Sequence, residues 1–438
     1  MNKVDALQDV EQVEQLLETT EGKGYKRYSE YKDSGVNWLG SVPKDWVVKS
    51  IKWESPVFRG ASPRPIDDPI YFDEMGEYAW VRISDVTASG MYLNQTSQRL
   101  SDYGAKLSVK LEPGELFLSI AGTVGKPCIT NIRCCIHDGF VYFPRLTQKS
   151  KFLYYVFASG EPYKGLGKFG TQLNLNTDTV GSIRVAFPSI KEQESIIRFL
   201  DEQTGRIDEL IAAKRKLLEL LHVKRRAIIT HAVTKGLDPD VPMKDSGVEW
   251  LGEVPVDWGI TRLGRYTKWS SGEFINNEDV ETVKTSDHPI PVIGGNDIMG
   301  WTDTHLIEKD TIAVGRVGAL CGNVHIVKAP AWISDNALRL TWHQSFDLHY
   351  LAKLLEFLNI NRFAEQTAQP LISGSLLRSL VVPIPPMDEQ RKIFSYIYSH
   401  IQKINSIVEE TEKAISRLNE LRISLISSAV TGKIDVRN

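Results

Sequence analysis

Four short patterns in this chain hold residue types that could do chemistry. Gly165-Leu-Gly167-Lys-Phe-Gly170 fits the GxGxxG spacing that can cradle a phosphate at a helix N-terminus. It follows no strand pattern and opens no credible helix, and no βαβ unit surrounds it, so a flexible loop is the better reading. Asp68-Pro-Ile-Tyr71 approaches the D/N-P-P-Y/F motif of amino-methyltransferases, but the second proline is missing and no glycine-rich cofactor strand lies upstream. Cys134, Cys135 and His137 could be pictured as metal ligands. Adjacent side chains of a strand point to opposite faces, however, and no second ligand pair follows, so ordinary buried thiols are expected. Ser334-Asp-Asn matches a β-lactamase fragment without its companion motifs, and no GxxxxGK(S/T) phosphate loop occurs. The expectation is a chain with no catalytic centre, no metal site and no cofactor of its own.

Composition narrows the class without deciding it. The 438 residues are too many for one ordinary domain, and 42% hydrophobic with 24% charged residues suits a soluble globular protein. No apolar run is long enough to span a bilayer, and the N-terminus is acidic, with Asp5, Asp9, Glu11, Glu14 and Glu18. No membrane association and a cytoplasmic address are therefore expected. The four cysteines form no CxxC pair and suggest no disulfide framework. Net charge is −3, unlike that of simple nucleic-acid binders. Local balances differ: residues 47–187 carry 16 Lys+Arg against 13 Asp+Glu, whereas residues 259–384 carry 11 against 13. A local basic cleft, or phosphate contacts supplied by a partner, remains compatible with that composition.

The elements that must position any site are written twice. Residues 32–46 read KDSGVNWLGSVPKDW and residues 244–258 read KDSGVEWLGEVPVDW, identical at 12 of 15 positions at an offset of 212. A second repeat at an offset of 197 pairs FPSIKEQESIIRFL (187–200) with IPPMDEQRKIFSYI (384–397), and it brings Ala232-Val233-Thr234 onto Ala429-Val430-Thr431. The C-terminal TGKIDVRN resembles the stretch Thr234–Asp238 that leads into the second KDSGV motif. A circular duplication is expected, with the two ends close in space and pseudo-twofold symmetry between the halves.

From Glu192 to about Lys235 there is no proline and one glycine, and apolar residues recur at heptad spacing. Leu200, Ile207, Leu221 and Ile228 form one row; Ile197, Ile211, Leu218 and Ala232 form the next. The second copy offers Ile397, Ile404, Leu418 and Leu425 beside Ile401, Val408, Ile415 and Ala429. Roughly 40 residues of helix extend about 60 Å, and two such helices with matching seams should pair as an antiparallel coiled coil. Lys214 and Thr411 interrupt one row, and Arg225 and Arg422 the other, either fixing register or lying at the edge. The intervening stretches read as mixed α/β modules. Strand chemistry marks Tyr78–Ser84, Leu116–Ile120 and Phe140–Phe143 in the first, and Ile290–Ile293, Thr311–Val314 and Ala337–Leu340 in the second. Short helices are expected at Lys151–Ser159 and Leu348–Leu358. Asp138 falls on Asp335, and Gly122 lies near Gly318.

Together, the duplicated KDSGVxWLGxVPxxW motif and the duplicated Pro-rich strand, EQ and long helix resemble type I restriction-modification specificity subunits. The likeness covers nearly the whole chain after about residue 25. It implies an α/β (α+β) architecture in which two target-recognition domains alternate with two long helices. The implied division is an N-terminal extension (1–24), a first target-recognition domain (25–187), a central helix and connector (188–243), a second such domain (244–384) and a C-terminal helix (385–438). The resemblance further implies that each domain reads one half of an asymmetric bipartite site in double-stranded DNA, while the helices set the spacer. Two methyltransferase subunits would dock on the chain and motor-nuclease subunits would join them, so S-adenosylmethionine, ATP and Mg would belong to those partners. A stand-alone DNA-binding regulator is the alternative.

Base-edge readers need Arg for guanine and Asn or Gln for adenine, on loops that can enter a groove. The candidates in the first module are Arg59, Arg64, Arg82, Lys168, Gln172 and Asn174. In the second they are Asn276, Asn277, Asn296, Arg316 and Gln369. A competing role exists for each, since surface Arg and Lys are commonly just solvated and Asn in a turn often caps its own backbone. Trp38, Trp46, Trp250 and Trp258 read as packing anchors between helix and module.

Overall fold

A computed structural model describes residues 25–164, 166, 175–318, 321–364 and 370–437. The chain divides into two compact units, one holding the chain up to Lys214 together with Glu412 onward, the other holding Arg215–Thr411. Two helices run through that division, Ile190–Lys235 (the central helix) and Met387–Val430 (the terminal helix), so each unit contains half of each. Among the described residues no helix is long and apolar enough to cross a membrane.

The helix pairing follows from the heptad rows. In the first unit Leu200, Ile207 and Ile211 share a core with Leu418, Leu421 and Leu425; in the second, Ile229, Ala232 and Val233 pack with Ile393, Ile397 and Ile401. The start of one helix thus lies against the end of the other in each unit, which is the antiparallel coiled coil. Lys214 and Thr411 lie on the buried rows, at 9% and 6% exposure. Arg422 is at the seam's edge, where its Nε and Nη2 donate to Asp208 at 3.0 and 3.4 Å. Near its end the central helix buries Ile229, while Ile228 is only half-buried. A helix of 3.6 residues per turn drifts from a strict seven-residue repeat, which accounts for the one-residue step.

Each unit carries a module of the same plan. The first holds a five-stranded sheet (58–59, 140–142, 116–119, 127–130, 92–93) and a four-stranded sheet (98–100, 78–81, 134–136, 109–111). Their facing residues, among them Ala79, Val81, Phe117, Cys134, Ile136 and Phe140, form a core of their own. The second module has sheets of four strands (267–271, 337–343, 311–315, 324–327) and three strands (298–302, 290–293, 332–333). The helices Ser150–Ala158 and Leu348–Leu358 join these modules to the cores that hold the long helices.

Two buried glutamines fasten helix to module. The Gln193 side-chain amide donates to the Pro188 carbonyl (3.1 Å) and to Gln148 (2.6 Å), and its oxygen accepts the Lys149 amide (3.2 Å). Gln390 repeats the arrangement with the Pro385 and Ser345 carbonyls (2.9 and 2.8 Å) and the Asp347 amide (2.7 Å). The KDSGV motifs close each unit: strand Tyr31–Asp33 pairs with Ser41–Pro43, and Met243–Asp245 with Glu253–Pro255. Past the terminal helix, Asp435 donates its amide to the Lys26 carbonyl over 2.7 Å, and the Tyr31 hydroxyl donates to the Gly432 carbonyl over 3.1 Å. Gly432 has φ +71 and sits where a Cβ would strike Pro43, so only glycine fits there.

Candidate nucleic-acid interface

In the first module the candidate site forms where two parallel strands end together. Val81 pairs with Ile136, so the next residues, Arg82 on one strand and His137-Asp138 on the other, emerge at the same edge. The loop after strand Phe58–Arg59 is pressed onto that edge. Gly60 donates its amide to Phe140 and Ala61 to Ile136, at 2.9 and 3.1 Å. A Cβ on Gly60 would come within 2.1 Å of the His137 carbonyl oxygen, which makes glycine the only residue that allows this approach. The result is a cleft of ≈ 810 Å³ lined by Pro63, Arg64, Asp67, Trp80, Arg82, His137 and Asp138.

Asp138 organises the cleft's charges. Its carboxylate accepts from Ser62 Oγ and Arg64 Nη2, each at 3.2 Å, and its backbone carbonyl accepts from Arg59 Nε. The Arg82 guanidinium makes no hydrogen bond or ion pair among the described residues; its backbone is engaged, the amide donating to Asp85 Oδ2 at 2.8 Å and the carbonyl accepting from the Asp85 amide at 3.1 Å. Burial lowers the pKa of His137 below the ordinary imidazole value, with Asp138 opposing and Arg82 and Arg59 adding to the effect. The Gly139 amide donates to His137 Nδ1 over 2.8 Å, so the neutral ring carries its proton on Nε2. The cleft thus sets the Arg82 and Arg64 guanidiniums and the half-buried His137 ring beside the carboxylates of Asp67 and Asp138. That chemistry suits planar acceptors such as purine edges.

The second module repeats the backbone plan with other side chains. Ile293 pairs with Ile333, and the strand ends throw Gly294-Gly295-Asn296 and Ser334-Asp335-Asn336 to one edge. Gly272 lies on the Ser334 carbonyl as Gly60 lies on that of His137, and its amide donates to Ala337 over 2.9 Å. Ser271 stands where Arg59 does and reaches the Asp335 carbonyl (3.5 Å), the equivalent of the Asp138 carbonyl. Arg316 approaches from the neighbouring strand, its Nη1 3.4 Å from Ser271 Oγ and its backbone amide on the Asn336 carbonyl (2.9 Å). A cleft of ≈ 520 Å³ opens beside it, lined by Gly294, Asn296, Asp297, Met299, Val317 and Asn336.

Of the sequence candidates, Arg64 and Arg82 line the first cleft and Arg59 is bonded to the Asp138 carbonyl beside it, while Asn296 and Arg316 flank the second. Asn276 N-caps the 3₁₀ turn Asn277–Asp279 and donates to Asp279 Oδ2 over 3.2 Å, with Asn277 exposed beside it. Lys168, Gln172, Asn174 and Gln369 lie outside the described residues, as do Gly165, Gly167 and Gly170 of the GxGxxG pattern and residues 1–24. Asp138 and Trp80 were not among the candidates for base contact, and His137 was considered only as a metal ligand. The repeat of Asp138 as Asp335 was the one signal for them. The Asp68–Tyr71 pattern forms a 3₁₀ turn in which Asp68 accepts the Ile70 amide, and the Tyr71 hydroxyl donates to the Arg64 carbonyl (2.9 Å), which makes it a support for the arginine loop. Among the described residues no group of three or more His, Cys, Asp or Glu could hold a metal ion.

Comparison with known proteins places this geometry in context. Residues 43–220 and 255–417 match the family model described as the type I restriction modification DNA specificity domain. The specificity subunit of the type I restriction enzyme EcoprrI from Escherichia coli is 22% identical over 347 residues, covering 76% of this chain and 82% of that one. The MjaIX specificity subunit of Methanocaldococcus jannaschii is 25% identical over 445 residues, covering 93% and 97%. Among solved structures, a chain from work on complex assembly and conformational transition of the type I R-M system superposes with a TM-score of 0.70 at 14% identity, covering 89% of this chain and 98% of that one. The HsdS subunit from Thermoanaerobacter tengcongensis gives 0.51 at 14% identity, covering 90% and 98%.

Proposed function

The chain belongs to the family of type I restriction-modification DNA specificity subunits and its role is DNA sequence recognition; from that premise we propose that each module reads one half of an asymmetric, bipartite duplex site. The observation that carries this reading is the paired edge: one backbone plan, built twice in register, with Arg59 and Arg82 in the first copy where Ser271 and Gly294 stand in the second. Equal frames with unequal side chains suit unlike half-sites, whereas two identical readers would select a palindrome.

In this reading the paired helices set the spacer between half-sites, and methyltransferase subunits dock on the helices and modules, with motor-nuclease subunits completing the complex. Adenine methylation and ATP-driven cleavage then belong to those partners, which hold S-adenosylmethionine, ATP and Mg, and this chain contributes recognition alone. The family match favours this over a stand-alone regulator. The test is to coexpress the chain with its methyltransferase subunit in a methylation-free host and map methyladenine by single-molecule sequencing. A bipartite motif that disappears when either chain is omitted is the expected result. An intact complex that methylates no defined motif would sink the proposal.

A further inference from the structure

Resting on the specificity-subunit reading, we propose that Arg82 is a guanine reader confined to the first module's half-site, with Arg64 held beside it by Asp138. Arg64 and Arg82 line the cleft and Arg59 is bonded to Asp138, which lines it too; two of the three are already engaged. Arg59 donates through Nε to the Asp138 carbonyl, and Arg64 pairs with the Asp138 carboxylate at 3.2 Å. The Arg82 guanidinium is exposed and makes no side-chain bond among the described residues. An arginine serving only phosphates needs an open surface. This one sits in a walled cleft with Pro63, Ile66 and Trp80, beside a neutral His137.

A free guanidinium in a slot presents two parallel donors. Guanine's major-groove edge offers the matching acceptors, N7 and O6, whereas adenine sets an amino donor against the second position. At the register-equivalent place the second module has Gly294, and at the places of Arg59 and Arg64 it has Ser271 and Asn276. The guanine reader therefore has no counterpart at that position in the other half-site.

The methylation map of the wild-type complex is compared with those of R82A and R82K, each purified with the methyltransferase subunit. The wild-type motif should contain a G·C pair, in one half-site, at which both variants lose preference by about tenfold to a hundredfold. The other half-site should stay strict. R82K keeps the charge and the bulk, so its loss of preference separates base reading from folding. Relaxation at an A·T pair, equal loss of methylation at every site, or full retention of specificity by R82K would overturn the assignment. A wild-type complex without any motif would instead remove the specificity reading on which it rests.

Discussion

The indole Nε1 of Trp46 donates to the Glu192 carboxylate over 3.1 Å, tying the first KDSGV motif to the first turn of the central helix. Trp258 and Glu389 make the same bond at 2.9 Å in the other unit. Both indoles are 1% exposed, so each places a charge-assisted bond in a dry setting. Replacing either tryptophan by phenylalanine keeps most of the apolar burial and removes the donor. Each change should cost about 1.5–3 kcal/mol, read as lowered denaturation midpoints of similar size. A loss in only one of the two would show that the repeat is not energetically equivalent.

Gln193 is fully buried and satisfies three neighbours at once. Gln193→Leu preserves volume but strands the Pro188 carbonyl and the Lys149 amide. A destabilisation of about 1–3 kcal/mol follows from the unpaired buried Pro188 carbonyl, measured by urea denaturation. Gln193→Glu should do no better, since it loses the donor to Pro188 and buries a charge.

The thiols of the first module are predicted to be inert. Cys128, Cys134 and Cys135 are 0% exposed, and burial pushes them up to about 12, about 12 and about 11. Thiolate is the reactive form, so iodoacetamide at mildly alkaline pH should leave all three unmodified in the native protein and label them in denaturant. Mass spectrometry of the peptides decides it; rapid native labelling of Cys134 would contradict the packed two-sheet core.

His137 links stability to pH. Its pKa is lowered from 6.5 by burial, so over an interval below 6.5 the unfolded chain binds a proton that the folded chain does not. Stability contributed by the neutral ring is present above the unfolded value and is lost as pH falls towards the folded one. Just below pH 6.5, His137→Gln should therefore flatten the pH dependence of the unfolding midpoint relative to wild type. Parallel curves for the two proteins would rule this out.

The elements were legible where a pattern recurs within a few residues. Leu348–Leu358 is the helix its apolar spacing predicts, and most of the heptad rows of both long helices point inward, with Leu218, Ile228 and Val408 half-buried. The site was legible only in part, because its contacts join residues far apart in the chain. Arg59 and Arg64 meet Asp138 across 79 and 74 residues, a distance over which single-sequence spacing carries no signal. Gln193 and Gln390 were visible only as letters of a repeat, since their partners lie 44 or 43 residues away on the modules. Asn276 was chosen for its residue type alone, and the structure adds a local bond that the spacing did not announce, from its side-chain amide to Asp279 Oδ2.

Exchanging modules tests the central claim most directly. Strand Val47–Ser50 pairs with Arg184–Phe187, and Gly259–Arg262 pairs with Val381–Ile384, so both modules leave their frame through equivalent antiparallel ladders. Residues 259–384 can be replaced by a second copy of residues 47–187 and the variant coexpressed with the methyltransferase subunit. If each module reads one half-site, the methylated motif becomes an inverted repeat of the first half-site. An assembled complex that keeps the original asymmetric motif would contradict the account.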